Sequence, residues 1–230
     1  MLNNPVYKNF FNKIYKYRFY LLLISLLSNF FLPPFQINPL INTILKTILI
    51  SFLILTGANF IKKDNGKLRK ICFYFGLVNI ILAILLDFLP ENNKTLFAQH
   101  LLLMLFFIVI TVNLIQQIFT IDKVTWDVIV GSFNGYILLG ISSYFLLVLV
   151  EIANPGSLSG LNGNMNEKYS QIFYFAFVCL TTVGFGDILP TKVISQKICI
   201  LTSVTGQLYI AVVVAILISR FLSHKKNSQP

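Results

Sequence analysis

Long apolar runs, repeated along the chain and parted by short basic stretches, constrain this sequence more than any other feature. A helix needs about 20 apolar residues to cross a bilayer core. Six segments approach or exceed that length: Tyr17–Phe35, Leu40–Ile61, Ile71–Leu89, Leu96–Phe119, Trp126–Ala153 and Val193–Leu222. The first is short before Pro33 and Pro34. A seventh apolar stretch, Tyr169–Leu180, is too short to span and has the length of a re-entrant segment. The charged fraction, 11%, is less than half of the approximately 25% usual in soluble domains. The sequence predicts an all-α membrane protein with six transmembrane helices, a short re-entrant helix and a loop.

The formal charge of +10 would suit a nucleic-acid partner, but the basic residues fall between apolar runs and not along one face, so no nucleic acid is expected. One set comprises Lys8, Lys13, Lys16, Arg18, Lys62, Lys63, Lys67, Arg69, Lys70, Lys123, Arg220, Lys225 and Lys226. The opposite side holds Lys94, Lys168 and Lys192. This bias predicts a multi-pass protein of the cell membrane with both termini cytoplasmic. The cytoplasmic Lys and Arg would also attract anionic lipid, although the topology signal accounts for them by itself. Lys46 and Lys197 are placed to snorkel; Lys46 also has Asp87 at a similar depth as a partner. Cys72, Cys179 and Cys199 have unrelated spacings and read as small buried hydrophobes. His100 reads as an interfacial residue and Trp126 as an interfacial anchor. The N-terminal residues show no cleavage site and read as mature.

The stretch TTVGFGD, Thr181 to Asp187, sits between the re-entrant segment and the last span. Non-helical backbone at membrane depth is tolerated where protein buries it or where it lines a watery path. Gly184 and Gly186 permit unusual backbone angles. Such a loop can turn successive carbonyl oxygens to one axis and replace the water shell of a cation. Thr182 would add a hydroxyl ring at the inner end. Val183 and Phe185 would point away and brace the loop. One chain supplies one loop and a cage needs four, so a homotetramer is expected. The same letters satisfy G-x-G-D, the string of intramembrane aspartyl proteases. Those need a second, proton-sharing aspartate, and Asp87 is the available candidate, in an unsuitable context. A non-conducting membrane scaffold is the third alternative.

TTVGFGD resembles the potassium-channel signature T-V-G-[YF]-G-D. The surroundings, from about Thr125 to Leu222, match as well: a spanning helix, a half-helix, the loop, a second spanning helix, and Gly206 twenty residues after Gly186. The "NPGS" after Glu151 and the "GYILLG" are similar to the pore of bacterial six-span channels. The resemblance implies a potassium-selective channel subunit, not an enzyme, with permeant K+ and no other cofactor. It places Thr182, Val183, Gly184, Phe185 and Gly186 in the selectivity filter. Thr182, Val183, Gly184 and Phe185 would hold K+. Thr181, Asp187, Tyr174 and Val178 become mouth and support residues, with Asp187 capping the outer mouth. Phe185 lacks the hydroxyl of the commoner tyrosine, which leaves Tyr174 as the candidate to bond Asp187. Val178 stands where some relatives carry a buried glutamate. Gly206 becomes a hinge candidate, or a site of close helix packing. Glu151 and Glu167 are solvated, or serve the mouth. The half-helix is expected from Glu167 to Leu180 with Asn166 as N-cap, its C-terminus favouring a cation.

The expected organisation is a four-helix N-terminal domain at 1–122, a pore domain at 123–223 and a cytoplasmic tail at 224–230. Six spans with a pore between the last two is the layout of a voltage-gated channel. Voltage sensing takes about three to four membrane charges per subunit, and Leu96–Phe119 contains no Arg or Lys. The channel is therefore expected not to be voltage-gated.

Overall fold

The computed structural model describes residues 15, 17–31, 48–49, 51–57, 74, 76–78, 81, 93–121 and 125–226. Lys46, Cys72 and Asp87 lie outside the described residues, with most of the second and third apolar runs. Five long helices are described: α1, Arg18–Phe31; α2, Asn93–Thr120; α3, Trp126–Ala153; α4, Met165–Leu180; and α5, Val193–Lys226. Two short strands, β1 (Leu158–Ser159) and β2 (Leu189–Pro190), flank α4 and its following loop. They pair antiparallel, Leu158 opposite Pro190 and Ser159 opposite Leu189. Among the described residues, three helices are long and apolar enough to cross a membrane: α2, α3 and the Val193–Arg220 portion of α5. At 14 residues α1 is shorter, and residues 51–57 are also helical.

In lipid, burial of apolar surface between helices has no driving force, so close packing and hydrogen bonds hold helices together. The α3 sequence follows that rule. A Cβ on Gly131 would strike the Phe19 ring, one on Gly135 the Tyr209 hydroxyl, and one on Gly140 the Phe177 ring. Three glycines on one helix thus admit one aromatic ring each from α1, α5 and α4. Polar links accompany the contacts. Asn134 Nδ2 donates to the Phe19 carbonyl at 2.8 Å, and Tyr209 Oη to the Ser132 carbonyl at 2.7 Å. Ser25 Oγ and Thr56 Oγ1, both buried, are 2.9 Å apart. Ser132 and Ser142 satisfy their buried hydroxyls on carbonyls four residues back.

Among the described residues, the buried side chains form two cores. One lies among α1, α2, α3 and residues 51–57, around Phe19, Leu22, Ile54, Phe106, Ile110 and Leu138. The second, around Leu147, Ile172, Phe175, Ala176 and Cys179, is where α4 packs on α3. Cys199 packs against this second core, and both cysteines are free thiols. α5 is different. Of its apolar span 17% is buried, against 50% in α3. Ile200, Leu201, Val204 and Leu208 remain exposed.

Two sequence expectations are corrected here. The short helix begins at Met165, not at Glu167, and its N-cap is Asn164, not Asn166. Asn164 Oδ1 accepts from the Glu167 amide at 3.1 Å, and Glu167 Oε2 accepts from the Asn164 amide at 2.8 Å. This reciprocal capping box satisfies two orphan amides at once, which gives Asn164 the advantage. His100 is buried within the protein. Its ring lies against Phe145 and Tyr169, and its Nδ1 is 2.8 Å from the Leu96 carbonyl.

Candidate functional site

The end of a helix leaves its last four carbonyls without helical partners. At the end of α4 all four are occupied, and their donors build the site. The Phe177 carbonyl receives the Thr181 amide at 2.9 Å and the Thr181 hydroxyl at 2.7 Å. The Val178 carbonyl receives the Val183 amide at 3.1 Å. The Cys179 carbonyl receives the Thr182 amide at 3.0 Å and the Ser203 hydroxyl at 2.8 Å. The Leu180 carbonyl receives the Tyr136 hydroxyl at 3.4 Å. The first three residues of TTVGFGD are thereby tied to the helix that precedes them, and α3 and α5 supply the remaining bonds.

Beyond this anchor the backbone alternates in hand. Thr182 has φ +59°, Gly184 +61° and Gly186 +81°, with Val183 and Phe185 on the ordinary negative side. Glycine reaches the left-handed region freely; threonine does so rarely. A Cβ on Gly184 or Gly186 would meet nothing within 4 Å, so within one chain it is conformation, not space, that calls for glycine. Residues 181 to 187 are all exposed.

α5 crosses the base of this loop. Gly206 faces the Leu180 carbonyl, and a Cβ there would collide with that oxygen. Gly206 is therefore a close-packing position. One residue on, Gln207 Nε2 donates to Thr182 Oγ1 at 3.0 Å. Ser203, Gly206 and Gln207 thus address residues 179, 180 and 182 in turn from one face of α5.

The C-terminal end of the loop is braced by the segment before α4. Glu151 accepts from the Gly156 amide at 2.9 Å and from the Leu158 amide at 3.0 Å. Glu151 therefore serves this segment's backbone and not the loop directly. The β1–β2 pairing then joins the segment to the residues after Asp187. Thr191 N donates to the Ser157 carbonyl at 2.9 Å, and the buried Ser195 hydroxyl does so at 2.8 Å. Gly160, at φ +87°, presses on the Asp187 carbonyl, where a side chain would collide.

Aromatic rings form the remaining wall. The Phe185 ring stacks on Tyr174, centroids 6.3 Å apart and planes within 8°. Desolvation first, then the neighbouring Asp187 carboxylate, raises the Tyr174 phenol above its ordinary pKa. An open apolar groove of about 380 Å³ is lined by Phe30, Tyr174, Phe177, Val178, Val183 and Phe185, among others.

Every residue singled out in the sequence around TTVGFGD falls in this region. Three contributors were not singled out. Tyr136 and Ser203 bind orphan carbonyls, and Gln207 reaches Thr182. Their contacts join residues 24 to 44 apart in the chain, beyond any local pattern. A fourth, Arg220, was read as a topology charge. Its guanidinium donates to the Ile118, Phe119 and Ile121 carbonyls at the end of α2.

Residues 135–223 match the family described as ion channel, which takes in most of α3, all of α4, the loop and most of α5. The chain is also similar to the potassium voltage-gated channel subfamily A member 2 of Xenopus laevis, at 29% identity over 86 residues. That alignment covers 36% of this chain and 17% of the relative. Subfamily A member 5 of Mustela putorius furo is 31% identical over 86 residues, covering 36% and 14% respectively. Potassium channel K2 of Plasmodium berghei is 47% identical over 34 residues, 15% of this chain and 2% of the relative. The chain therefore spans less than a fifth of these relatives. No solved structure matches it significantly. The segment that holds the site is thus similar to ion channels, within a chain of long apolar helices. Over these short alignments the chain is similar to potassium channels.

Proposed function

We propose that the chain is a subunit of a homotetrameric, potassium-selective channel that conducts passively through four copies of the TTVGFGD loop. The observation that carries this reading is the alternation of backbone hand at Thr182, Gly184 and Gly186. Alternation flips successive peptide planes, so the carbonyls of Thr182, Val183, Gly184 and Phe185 can face one axis and replace the hydration shell of K+. The exposure of residues 181–187 and the open apolar face of α5 support a partner on each side. Four chains around a pore would cover both. The C-terminus of α4, aimed at that axis, would add partial negative charge favouring a cation.

In this reading α4 is the pore helix, residues 123–223 are the pore domain, residues 1–122 a four-helix domain and 224–230 a tail. Counting six spans places Asp187 outside the cell membrane and both termini in the cytoplasm, where the basic residues face anionic lipid. Conduction needs no covalent step and no cofactor. Asp187 as a catalytic acid is not favoured, because the ion-channel match contains it.

The voltage-gated names of two relatives describe those proteins. Here α2 carries Lys94 in its first turn and no other Asp, Glu, Lys or Arg. One charge moved through 100 mV is worth about 2.3 kcal/mol, and α2 offers no charge within its apolar length. This supports a channel that is not gated by voltage.

The experiment is ion efflux from K+-loaded liposomes containing the purified protein. Wild type releases K+ and retains Na+. Gly184→Ala, which forces φ +61° on an alanine, abolishes K+ release while the tetramer persists. Equal release by wild type and Gly184→Ala contradicts the filter assignment.

A further inference from the structure

Thr182 is the one residue of the proposed cation path that offers a side-chain oxygen as well as a carbonyl. Its hydroxyl is not left to itself. Gln207 Nε2 donates to Thr182 Oγ1 at 3.0 Å, across 25 positions of sequence and between two elements held at close range. Three observations fix that range. Ser203, one turn earlier on α5, donates to the Cys179 carbonyl at 2.8 Å. Gly206 presses on the Leu180 carbonyl where no side chain fits. The Thr182 amide is bonded to the Cys179 carbonyl at 3.0 Å, and its backbone holds φ +59°. The backbones that carry donor and acceptor are therefore held at close range, and the exposed Gln207 side chain spans the gap that remains.

We propose that Gln207 is a positioning residue for the innermost cation site, fixing the Thr182 hydroxyl and setting how strongly that site holds a dehydrated cation. This rests on the potassium-channel reading above. A threonine oxygen has two lone pairs. The Gln207 amide takes one and leaves the other for a cation. It also holds the Thr182 side chain in one rotamer. Because the oxygen already accepts a hydrogen bond, it offers less negative charge to the cation. Gln207 thus orders the site and weakens its grip, and both effects favour passage over retention. Conduction requires binding firm enough to enter and weak enough to leave. In the proposed tetramer, four such amides ring the cavity side of the loop.

The probe is Ba2+, an ion with nearly the radius of K+ and twice its charge, applied from the side facing Gln207 during K+ current through reconstituted protein. The variant is Gln207→Leu, which keeps the bulk and removes the donor. It is expected to shift the half-blocking Ba2+ concentration by about fivefold or more. In a Thr182→Val background, which has no hydroxyl to position, the same substitution is expected to add no shift. If Thr182→Val does not conduct, Ba2+ protection of the tetramer against thermal dissociation in detergent replaces the current in both backgrounds. Unchanged block in Gln207→Leu overturns the proposal. So does an equal shift in both backgrounds, which would mean that Gln207 acts on ions without Thr182. A wild-type protein that conducts K+ and Na+ equally overturns the underlying channel reading instead, and is told apart by being measured before any variant.

Discussion

Arg220, near the end of α5, donates to the Phe119 carbonyl at the end of α2 at 2.7 Å. The same guanidinium reaches the carbonyls of Ile118 and Ile121. A helix C-terminus carries partial negative charge, and a planar fork of donors suits several carbonyls at once. The Arg220 side chain thus links the end of α5 to the end of α2. Arg220→Ala is expected to lower stability by about 2 kcal/mol, the scale of a charge-assisted bond lost from a partly buried site. Arg220→Lys keeps the charge without the fork and is expected to recover less than half of that. Thermal unfolding in detergent measures both; an Ala variant as stable as wild type counts against the linkage.

Gly206→Ala separates packing from hinging. The added Cβ would meet the Leu180 carbonyl, and overpacking typically costs about 1–3 kcal/mol. The close-packing account expects α5 to be displaced from the loop. Tetramer stability and K+ selectivity would then fall together. A hinge without a packing role would leave a stable, selective channel whose open probability alone changes. Size-exclusion chromatography and single-channel recording of the same variant distinguish the two.

Glu151 is tied to two backbone amides, those of Gly156 and Leu158. Glu151→Ala leaves both unpaired within the protein and is expected to cost about 2 kcal/mol, with a smaller loss for Glu151→Gln. The loosened segment is also expected to be cut faster by a protease added from outside. Unchanged cleavage rates in Glu151→Ala would show that β1–β2 pairing alone holds the segment.

Tyr174→Phe retains the stack on Phe185 and removes the hydroxyl beside Asp187. The loop mouth is expected to be less well held, so that K+ current decays faster during maintained conduction. Tyr174→Ala, which also loses the 6.3 Å ring stack, is expected to decay faster still. Equal decay in Tyr174→Phe and wild type would leave the brace to the ring alone.

Much of this architecture was legible because lipid permits few solutions. The run read as Trp126–Ala153 is α3 without change, and the last span begins at Val193 as expected. Both are bounded by abrupt changes from polar to apolar residues. The start of α4 was misplaced because two asparagines compete two residues apart. Glu167 decides for Asn164, since a capping box needs its partners three positions apart. The rings around His100 come from α3 and α4, elements distant in sequence, so its burial has no local signal. Gln207 and Arg220 were beyond reach for another reason. Each makes its defining bond to a different helix or to the loop, and neither lies on a local repeat. What TTVGFGD alone could convey was its chemistry; which side chains hold it depends on how α3 and α5 cross its base.

The central claim is selectivity for K+ through the TTVGFGD loop, and the reversal potential tests it most directly. Wild-type protein is reconstituted in a planar bilayer with K+ on one side and Na+ on the other. The account predicts a reversal potential close to the K+ equilibrium potential. A reversal potential near zero, with intact protein and equal permeability to both ions, would contradict it.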